Sequence, residues 1–167
     1  KALAEIKISF VVNAKGISEI FLNGTSVEKE IRKMRISENV SQVSAIKEVR
    51  FAMVAQQRKM AREKAVVMDG RDIGTVVFPG AELKLFLTAN MLTRAFRRQR
   101  ELLEHGDMVD IDTIIANLNQ RDQIDSTRKE SPLRKASDAT LIDTTNVTID
   151  EQVDEAFRLA VSRILIS

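Results

Sequence analysis

The chain has 167 residues, of which 44% are hydrophobic and 30% are charged, and this balance is typical of a folded globular protein rather than a disordered one. No apolar run approaches the roughly 20 residues that span a bilayer, so we expect no membrane partner. Cysteine is absent, which excludes disulfides and favours a reducing cytoplasm. The net charge of +2 gives no reason to expect nucleic acid as a partner. Arginine outnumbers lysine 15 to 11, however, and arginine is the better bidentate ligand for phosphate.

The N-terminal part of the chain predicts an antiparallel ribbon followed by a helix. Apolar residues alternate over 6–12, which predicts a half-buried strand, and a returning strand ends at the turn dipeptide Asn23-Gly24. From 41 to 64 the apolar residues recur at helical spacing without glycine or proline. We therefore expect helical structure there.

Three short apolar runs then alternate with helical segments. The runs at 65–68 and 83–87 predict strands that are buried on both faces, and the run at 139–142 predicts a third short strand. Such alternation of strands and helices indicates an α/β fold with a parallel sheet.

The helices between and after these strands have recognisable ends. Asn90 is a candidate N-cap and Gly106 a candidate C-terminal stop for the first helix, and a second helix is expected over 111–128. Thr148 and Glu151 have the spacing of a capping box that opens the last helix. The apolar face expected along that last helix consists of Val153, Phe157, Val161 and Leu165.

The first candidate site follows the run at 65–68. Asp69, Arg71 and Asp72 surround Gly70 there, and ligands of open parallel sheets bind beyond the carboxyl ends of strands. The alternative is a strand-end turn with a local ion pair, and the spacing alone does not choose between them.

The second candidate site is an arginine-rich helix. Arg94, Arg97 and Arg98 lie three and four residues apart, so they share a helical face, and their mutual repulsion suggests a bound anion. The alternative is a solvated face balanced by Glu101 and Glu104. A helix that binds a nucleic-acid groove is weakly supported, because flanking aromatic residues and a large positive charge are lacking.

The third candidate site is on the next helix. Arg121, Asp125 and Arg128 lie at i, i+4 and i+7, where one carboxylate could orient both guanidiniums and accept a hydrogen bond from a sugar hydroxyl. The alternative is an exposed salt-bridge ladder that contributes about 0.3–0.5 kcal/mol per pair.

Together, these segments resemble the bacterial cytidylate kinases, which are nucleoside monophosphate kinases acting on CMP and dCMP. The resemblance extends over nearly the whole chain, in the same order and with matching separations. It rests on the segments 41–45, 49–50, 69–79 (Asp-Gly-Arg-Asp-Ile-Gly-Thr-Val-Val-Phe-Pro), 85–89, 94–100, 121–128, 131–133 and 138–144.

The resemblance implies the parallel-sheet core of a P-loop kinase with an inserted substrate-side domain and a helical lid. The expected parts are the inserted region with its ribbon and helices at 1–64, core strands at 65–92, the lid and arginine-bearing helices at 93–135, and the C-terminal core strand and helix at 136–167. In the family, a first strand, a glycine-rich phosphate loop with its lysine, and a helix come before these parts. We therefore expect that segment upstream of Lys1, with this chain matching about the last three quarters of the enzyme.

The resemblance also implies roles for residues that would bind the acceptor nucleotide. Ser41, Arg50 and Asp72 match positions that bind the cytosine edge, where a carboxylate can accept from the exocyclic amine. Arg71 and Arg128 match positions that hold the acceptor phosphate.

Further roles concern the pentose and the transferred phosphoryl group. Arg121 and Asp125 match the pentose contacts, and Asp69 matches a carboxylate beside the phosphate and magnesium region. One or more lid arginines would cover the transferred group, and the candidates are Arg94, Arg97, Arg98 and Arg100.

The implied activity is transfer of the γ-phosphoryl group of ATP, with Mg²⁺, to CMP or dCMP. The expected partners are these small molecules alone, with the enzyme acting as a cytoplasmic monomer and without nucleic acid. Because the chain contains no GxxxxGK[ST] phosphate loop, a non-catalytic nucleotide- or RNA-binding module is the alternative.

Overall fold

The structure is a computed structural model that describes residues 2–14, 16–62 and 66–165. Five strands and five α-helices alternate with two short 3₁₀ turns and one π-helical turn in this described part. The strands are β1 Ile8–Val12, β2 Ser18–Leu22, β3 Thr25–Ser26, β4 Leu85–Thr88 and β5 Thr140–Asp143. The helices are α1 Met34–Ser44, α2 Lys47–Met60, α3 Met91–Glu104, α4 Ile111–Thr127 and α5 Ile149–Ile164. No helix in these residues is both long and apolar enough to cross a bilayer.

The predicted antiparallel ribbon is confirmed. β1 pairs with β2, and β2 pairs with β3. The turn between β2 and β3 contains Asn23 and Gly24, whose φ angles are 50° and 83°. Glycine and asparagine tolerate this left-handed region best, which is why the dipeptide marks the turn. The expected burial of the first strand is wrong, because Phe10 and Val12 are 55% and 68% exposed. The alternation of apolar residues therefore predicted the strand but not its burial.

The helical structure expected over 41–64 is confirmed for most of its described residues. It consists of the end of α1 and the whole of α2, separated at Ala45 and Ile46, where Ile46 has extended backbone (ψ 121°) and is the N-cap of α2. The interruption follows Ser44, whose hydroxyl donates to the Ser41 carbonyl. A serine that bonds to the backbone in this way competes with the helical pattern. Residues 63–65 lie outside the described part of the chain.

The expected α/β fold with a parallel sheet is confirmed. β4 and β5 pair in parallel, from Leu85 opposite Thr140 to Thr88 opposite Asp143, and α3 and α4 lie between them in the chain. The strand expected at 65–68 is wrong for its described residues, because 66–68 have no strand geometry and Val67 is fully exposed. A strand needs a neighbour that completes its hydrogen bonds, and β4 and β5 form a sheet without these residues.

The buried core lies between α3 and α4. Ala95 and Leu102 of α3 pack with Ile114 and Leu118 of α4, all at most 9% exposed. Met34 at the start of α1 packs against the same cluster. These contacts fix α4, which carries the third candidate site, relative to both α1 and α3.

The last helix begins as predicted but its apolar face is exposed. Thr148 and Glu151 form both hydrogen bonds of the capping box, so the predicted start of α5 is confirmed. Three residues of the predicted apolar face, Val153, Phe157 and Leu165, are 59%, 68% and 80% exposed. Helical periodicity locates an apolar face, but it does not provide the surface that would cover it.

The N-cap of α3 gives a testable contribution to stability. The Asn90 side chain accepts from the Thr93 amide at 2.8 Å, and Asn90→Ala removes this acceptor. We expect a loss of about 1 kcal/mol in the free energy of unfolding, measured by urea denaturation. Asn119→Ala on the exposed face of α4 is the control and should change stability by less than about 0.5 kcal/mol. Equal effects of the two substitutions would contradict the capping role.

Candidate functional site

The segment that carries Asp72 is held by a π-helical turn at Ile73–Val77. The Asp72 carbonyl accepts from the amides of Val76 (2.9 Å) and Val77 (3.2 Å), and the Ile73 carbonyl accepts from Phe78 (2.7 Å). Arg58 of α2 donates to the carbonyls of Val76 and Val77 at 2.7 and 3.0 Å. Single π-helical turns are frequent at functional sites. The π-helical turn at Ile73–Val77 thus fixes the backbone position of Asp72.

Asp72 forms a buried ion pair with Arg50 of α2. The two residues are 4% and 9% exposed, and an Arg50 terminal nitrogen contacts the Asp72 carboxylate. The Arg50 Nε has no hydrogen-bond partner among the described residues. A buried donor without an acceptor is costly, and an acceptor atom of a ligand would relieve that cost. The local ion pair expected as one alternative at 69–72 is not found among the described residues, because Asp72 pairs with Arg50 of α2 and Arg71 pairs with Asp125 of α4.

A second buried network is centred on Asp125. Its two carboxylate oxygens accept from Arg71 Nε and Arg128 Nη1, both at 3.1 Å, and Asp125 is 2% exposed. Arg128 follows the last residue of α4 and also donates to the Ser131 carbonyl at 2.9 Å. The interpretation as an exposed ladder is therefore wrong for Asp125, because this carboxylate is buried and its partners come from two segments of the chain.

The two networks share one electrostatic environment. Burial lowers the pKa of Arg128, the positive charges of Arg50 and Arg71 lower it further, and Asp125 and Asp72 oppose this shift. Burial likewise lowers the pKa of Arg121, with Arg71 adding to the effect. Several guanidiniums thus lie close enough to repel one another with only partial compensation. An anion bound among them would remove this repulsion.

Polar residues of α1 and α4 that the sequence reasoning missed contact these arginines. Ser37 Oγ accepts from Arg121 Nη1 at 2.9 Å and donates to Asn117 Oδ1 at 2.9 Å. Ser44 Oγ accepts from Arg128 Nη1 at 3.0 Å. Asn117 precedes Arg121 by four residues, so helical spacing could have placed it on the same face. No spacing rule pointed to the two serines.

The arginines of α3 have partners on different elements. Arg94 forms a bidentate ion pair with Asp122 of α4, at 2.5 and 2.9 Å. Arg98 contacts Glu101 at 2.8 Å and donates to the Arg32 carbonyl at 2.7 Å. Burial raises the pKa of Glu101, but hydrogen bonds and positive charge from Arg98 and Arg32 lower it by more.

The remaining candidates are more dispersed. Arg97 donates to the hydroxyl and carbonyl oxygens of Thr144 at 3.0 and 2.5 Å, beyond the carboxyl end of β5. Arg100 is paired with Glu104 at 3.2 Å on the surface, which matches the solvated alternative for this face. Asp69 is exposed. The structure thus brings together the candidates for binding the acceptor nucleotide, here called the acceptor-side group: Arg50, Arg71, Asp72, Arg121, Asp125 and Arg128. The arginines of α3, in contrast, are spread along their helix.

Ser41 completes the acceptor-side group. It is 4% exposed on α1, and its carbonyl accepts from Ser44 Oγ at 2.9 Å. Because Ser44 also contacts Arg128, one hydroxyl connects the candidate base-binding serine with a candidate phosphate-binding arginine. The structure thus combines an α/β fold with arginines grouped around two carboxylates, and arginine is the residue type that binds phosphate and carboxylate groups through paired hydrogen bonds.

Comparisons with known proteins specify the family. The family model described as cytidylate kinase matches residues 1–162. The cytidylate kinase of Cytophaga hutchinsonii is 59% identical over 166 residues, which cover 99% of this chain and 71% of that protein. Those of Flavobacterium psychrophilum and Bacteroides fragilis are each 50% identical over 153 residues, covering 91% of this chain and 68% and 67% of the relatives. The chain belongs to the cytidylate kinase family.

Proposed function

We propose that this protein transfers the γ-phosphoryl group of ATP to CMP or dCMP and forms CDP or dCDP. The observation that carries the proposal is the buried arrangement of Arg50 with Asp72 and of Arg71 and Arg128 with Asp125, in a chain of this family. The family matches give no support to the alternative of a non-catalytic nucleotide- or RNA-binding module.

The buried pair of Asp72 and Arg50 fits the Watson–Crick edge of cytosine. The carboxylate would accept from the exocyclic amine, and the guanidinium would donate to the ring acceptors. Uracil presents a carbonyl oxygen in place of the amine, and the carboxylate would then face another acceptor. A site built around such a hydrogen bond rejects the wrong substrate strongly. The buried hydroxyl-bearing residue Ser41 is proposed as the third contact of the base.

The network around Asp125 fits the phosphate and the pentose of the same nucleotide. Arg71 and Arg128 are proposed to hold the acceptor phosphate, since guanidiniums bind phosphate through paired hydrogen bonds. Arg128 Nη2 and Arg121 Nε have no hydrogen-bond partner among the described residues, which leaves donors for ligand oxygens. Arg121 and Asp125 are proposed to contact the sugar.

The chemical step needs positioning and charge neutralisation more than covalent work by the protein. The acceptor phosphate oxygen would attack the γ-phosphorus in line while the bond to the ADP oxygen breaks. The α3 arginines are proposed as the lid groups that cover this transfer, within a lid at 93–135 that excludes water on closing. Arg94 and Arg98 would exchange Asp122 and Glu101 for phosphate oxygens, whereas Arg97 is tied to the loop after β5. Arg100 is proposed as a lid arginine that lies farther from the transferred phosphoryl group.

Mg²⁺ is proposed as the companion of ATP. Among the described residues no group of three metal-binding side chains exists, but Mg²⁺ commonly uses one or two carboxylates together with substrate phosphates. The exposed carboxylate of Asp69 fits that requirement. When bound, the ion would neutralise charge on the transferred phosphoryl group. The proposed domain organisation has an inserted substrate-side region at 1–64 and core parts at 65–92 and 136–167. The proposed oligomeric state is a monomer.

A panel of acceptor nucleotides tests this function. With ATP as donor in a coupled ADP-release assay, CMP and dCMP should be phosphorylated well, and UMP and AMP poorly. Calorimetric titration should show CMP binding that is specific for the base. A preference for UMP or AMP would contradict the base-binding assignment of Ser41, Arg50 and Asp72. Base-indifferent, strongly salt-dependent affinity for RNA without CMP binding would instead select the binding-module alternative.

A further inference from the structure

Two serines of α1 contact two arginines of α4 in matching register. Ser37 and Ser44 are seven residues apart, and so are their partners Arg121 and Arg128. Seven residues correspond to about two helical turns. Since the earlier serine contacts the earlier arginine, α1 and α4 run in the same direction with one serine–arginine contact near each end of the shared surface.

In both contacts the serine hydroxyl can act only as an acceptor toward the arginine. The Ser37 proton is donated to Asn117 Oδ1 at 2.9 Å, and the Ser44 proton is donated to the Ser41 carbonyl at 2.9 Å. A hydroxyl has one proton and two lone pairs, so these donations orient the lone pairs toward the guanidiniums. Ser37 and Asn117 are 5% and 8% exposed, which keeps water from substituting for the serine.

We propose that Ser37 and Ser44 are positioning residues that fix where α4 presents Arg121 and Arg128 to the nucleotide. This inference rests on the proposed function, in which Arg121 contacts the pentose and Arg128 the phosphate. The two arginines depend on their serines unequally. Arg128 is also held by Asp125 and by the Ser131 carbonyl.

Arg121 depends more strongly on its serine. Its hydrogen bond to Ser37 is the only one that its side chain makes to the described residues, and among them its buried Nε has no hydrogen-bond partner. The Ser37–Asn117 pair is therefore the main determinant of the Arg121 orientation. Ser44 has a smaller effect on the orientation of Arg128, because Asp125 and the Ser131 carbonyl already hold that side chain.

Calorimetric affinities for CMP and for cytidine, which lacks the phosphate, separate the two roles. Ser37→Ala should raise the Kd of both ligands by about 10-fold, because the pentose contact is common to them. Ser44→Ala should raise the Kd of CMP by about 3-fold and leave that of cytidine unchanged. Asn39→Ala, on the exposed side of α1, is the matched control and should alter neither Kd.

Two further variants distinguish positioning from general support of the fold. Asn117→Ala leaves the Ser37 hydroxyl in place but frees its proton, so it should reproduce part of the Ser37→Ala effect. In an Arg121→Ala background, Ser37→Ala should cause no additional loss, because no guanidinium remains to be oriented. Additive losses in that double variant, or equal losses for both serines on both ligands, would overturn the proposal.

Side-chain ¹⁵N NMR of the free protein provides a readout that needs no nucleotide. A guanidinium held at Nη1 rotates slowly and gives resolved Nη signals for Arg121, and Ser37→Ala should collapse them, while Ser37→Thr should restore them. Unchanged Arg121 signals in Ser37→Ala would overturn the positioning role even if CMP binds. Absence of CMP binding by the wild-type protein, with the expected NMR result, would instead overturn the proposed function.

Discussion

Asp125→Ala is expected to lower the free energy of unfolding by about 3–5 kcal/mol and to abolish measurable CMP binding. The substitution removes the acceptor of two guanidiniums, and Arg128 would remain as a buried charge because its side chain is only 2% exposed. The Arg71 side chain is 38% exposed and can be hydrated when Asp125 is removed. Most of the loss in unfolding free energy is therefore expected from Arg128. Urea denaturation and calorimetric titration with CMP measure the two effects.

Two companion variants give the Asp125 prediction its controls. Asp125→Asn keeps the shape and one acceptor oxygen but removes the charge, so its loss of stability should be smaller than that of alanine. Asp112→Ala, on the exposed first turn of α4, should change stability by less than about 0.5 kcal/mol. If Asp125→Ala proved as harmless as Asp112→Ala, the network would be a surface ladder after all.

Asp72→Asn is expected to reduce the preference for CMP over UMP by about 100-fold in kcat/KM. The amide can donate to the uracil carbonyl, which the carboxylate cannot, and it accepts less well from the cytosine amine. The substitution also leaves Arg50, which is 9% exposed, without its counter-charge. Stability should therefore fall together with specificity. Steady-state kinetics with both nucleotides measure the change.

The control for Asp72→Asn is a variant in which a carboxylate outside the candidate site is replaced in the same way. Asp154→Asn, on an exposed position of α5, should leave the ratio of kcat/KM values for CMP and UMP unaltered. An Asp72→Asn enzyme that kept the wild-type ratio would show that the carboxylate does not contact the base.

The features that the sequence predicted well depend on neighbouring residues alone. The Asn90 cap, the capping box at Thr148 and the turn at Asn23 are local, since each follows from one to four consecutive residues. The parallel sheet could also be predicted, because short apolar runs such as 83–87 separated by helices leave few other arrangements.

The features that the sequence did not predict concern contacts with partners far along the chain. Periodicity continues smoothly through Ala45 and Ile46, yet the helix is interrupted where Ser44 also meets an arginine 84 positions later. The run at 66–68 is apolar but has no neighbouring strand in the described structure. Local pattern gives the type of an element, whereas pairing and burial depend on the whole fold.

The candidate site shows the same limit. The i, i+4, i+7 spacing placed Arg121, Asp125 and Arg128 on one face, but it could not show that Asp125 contacts Arg71 instead of Arg121. The resemblance to a known family supplied the roles of Ser41 and Arg50, which spacing alone left without meaning. Neither approach pointed to Ser37, because a serine in an amphipathic helix has no pattern of its own.

The π-helical turn has an entropic consequence for the base-binding pair. Four donors converge on the Asp72 carbonyl, from the amides of Thr75, Val76 and Val77 and from the Thr75 hydroxyl, while Arg58 closes the turn from α2. The backbone freedom of this segment is thus lost on folding rather than on ligand binding. The buried ion pair with Arg50 also restricts the two side-chain torsions of Asp72 before a nucleotide binds. Recognition of the base therefore begins from a preorganised carboxylate, and little of the binding free energy is consumed in ordering it.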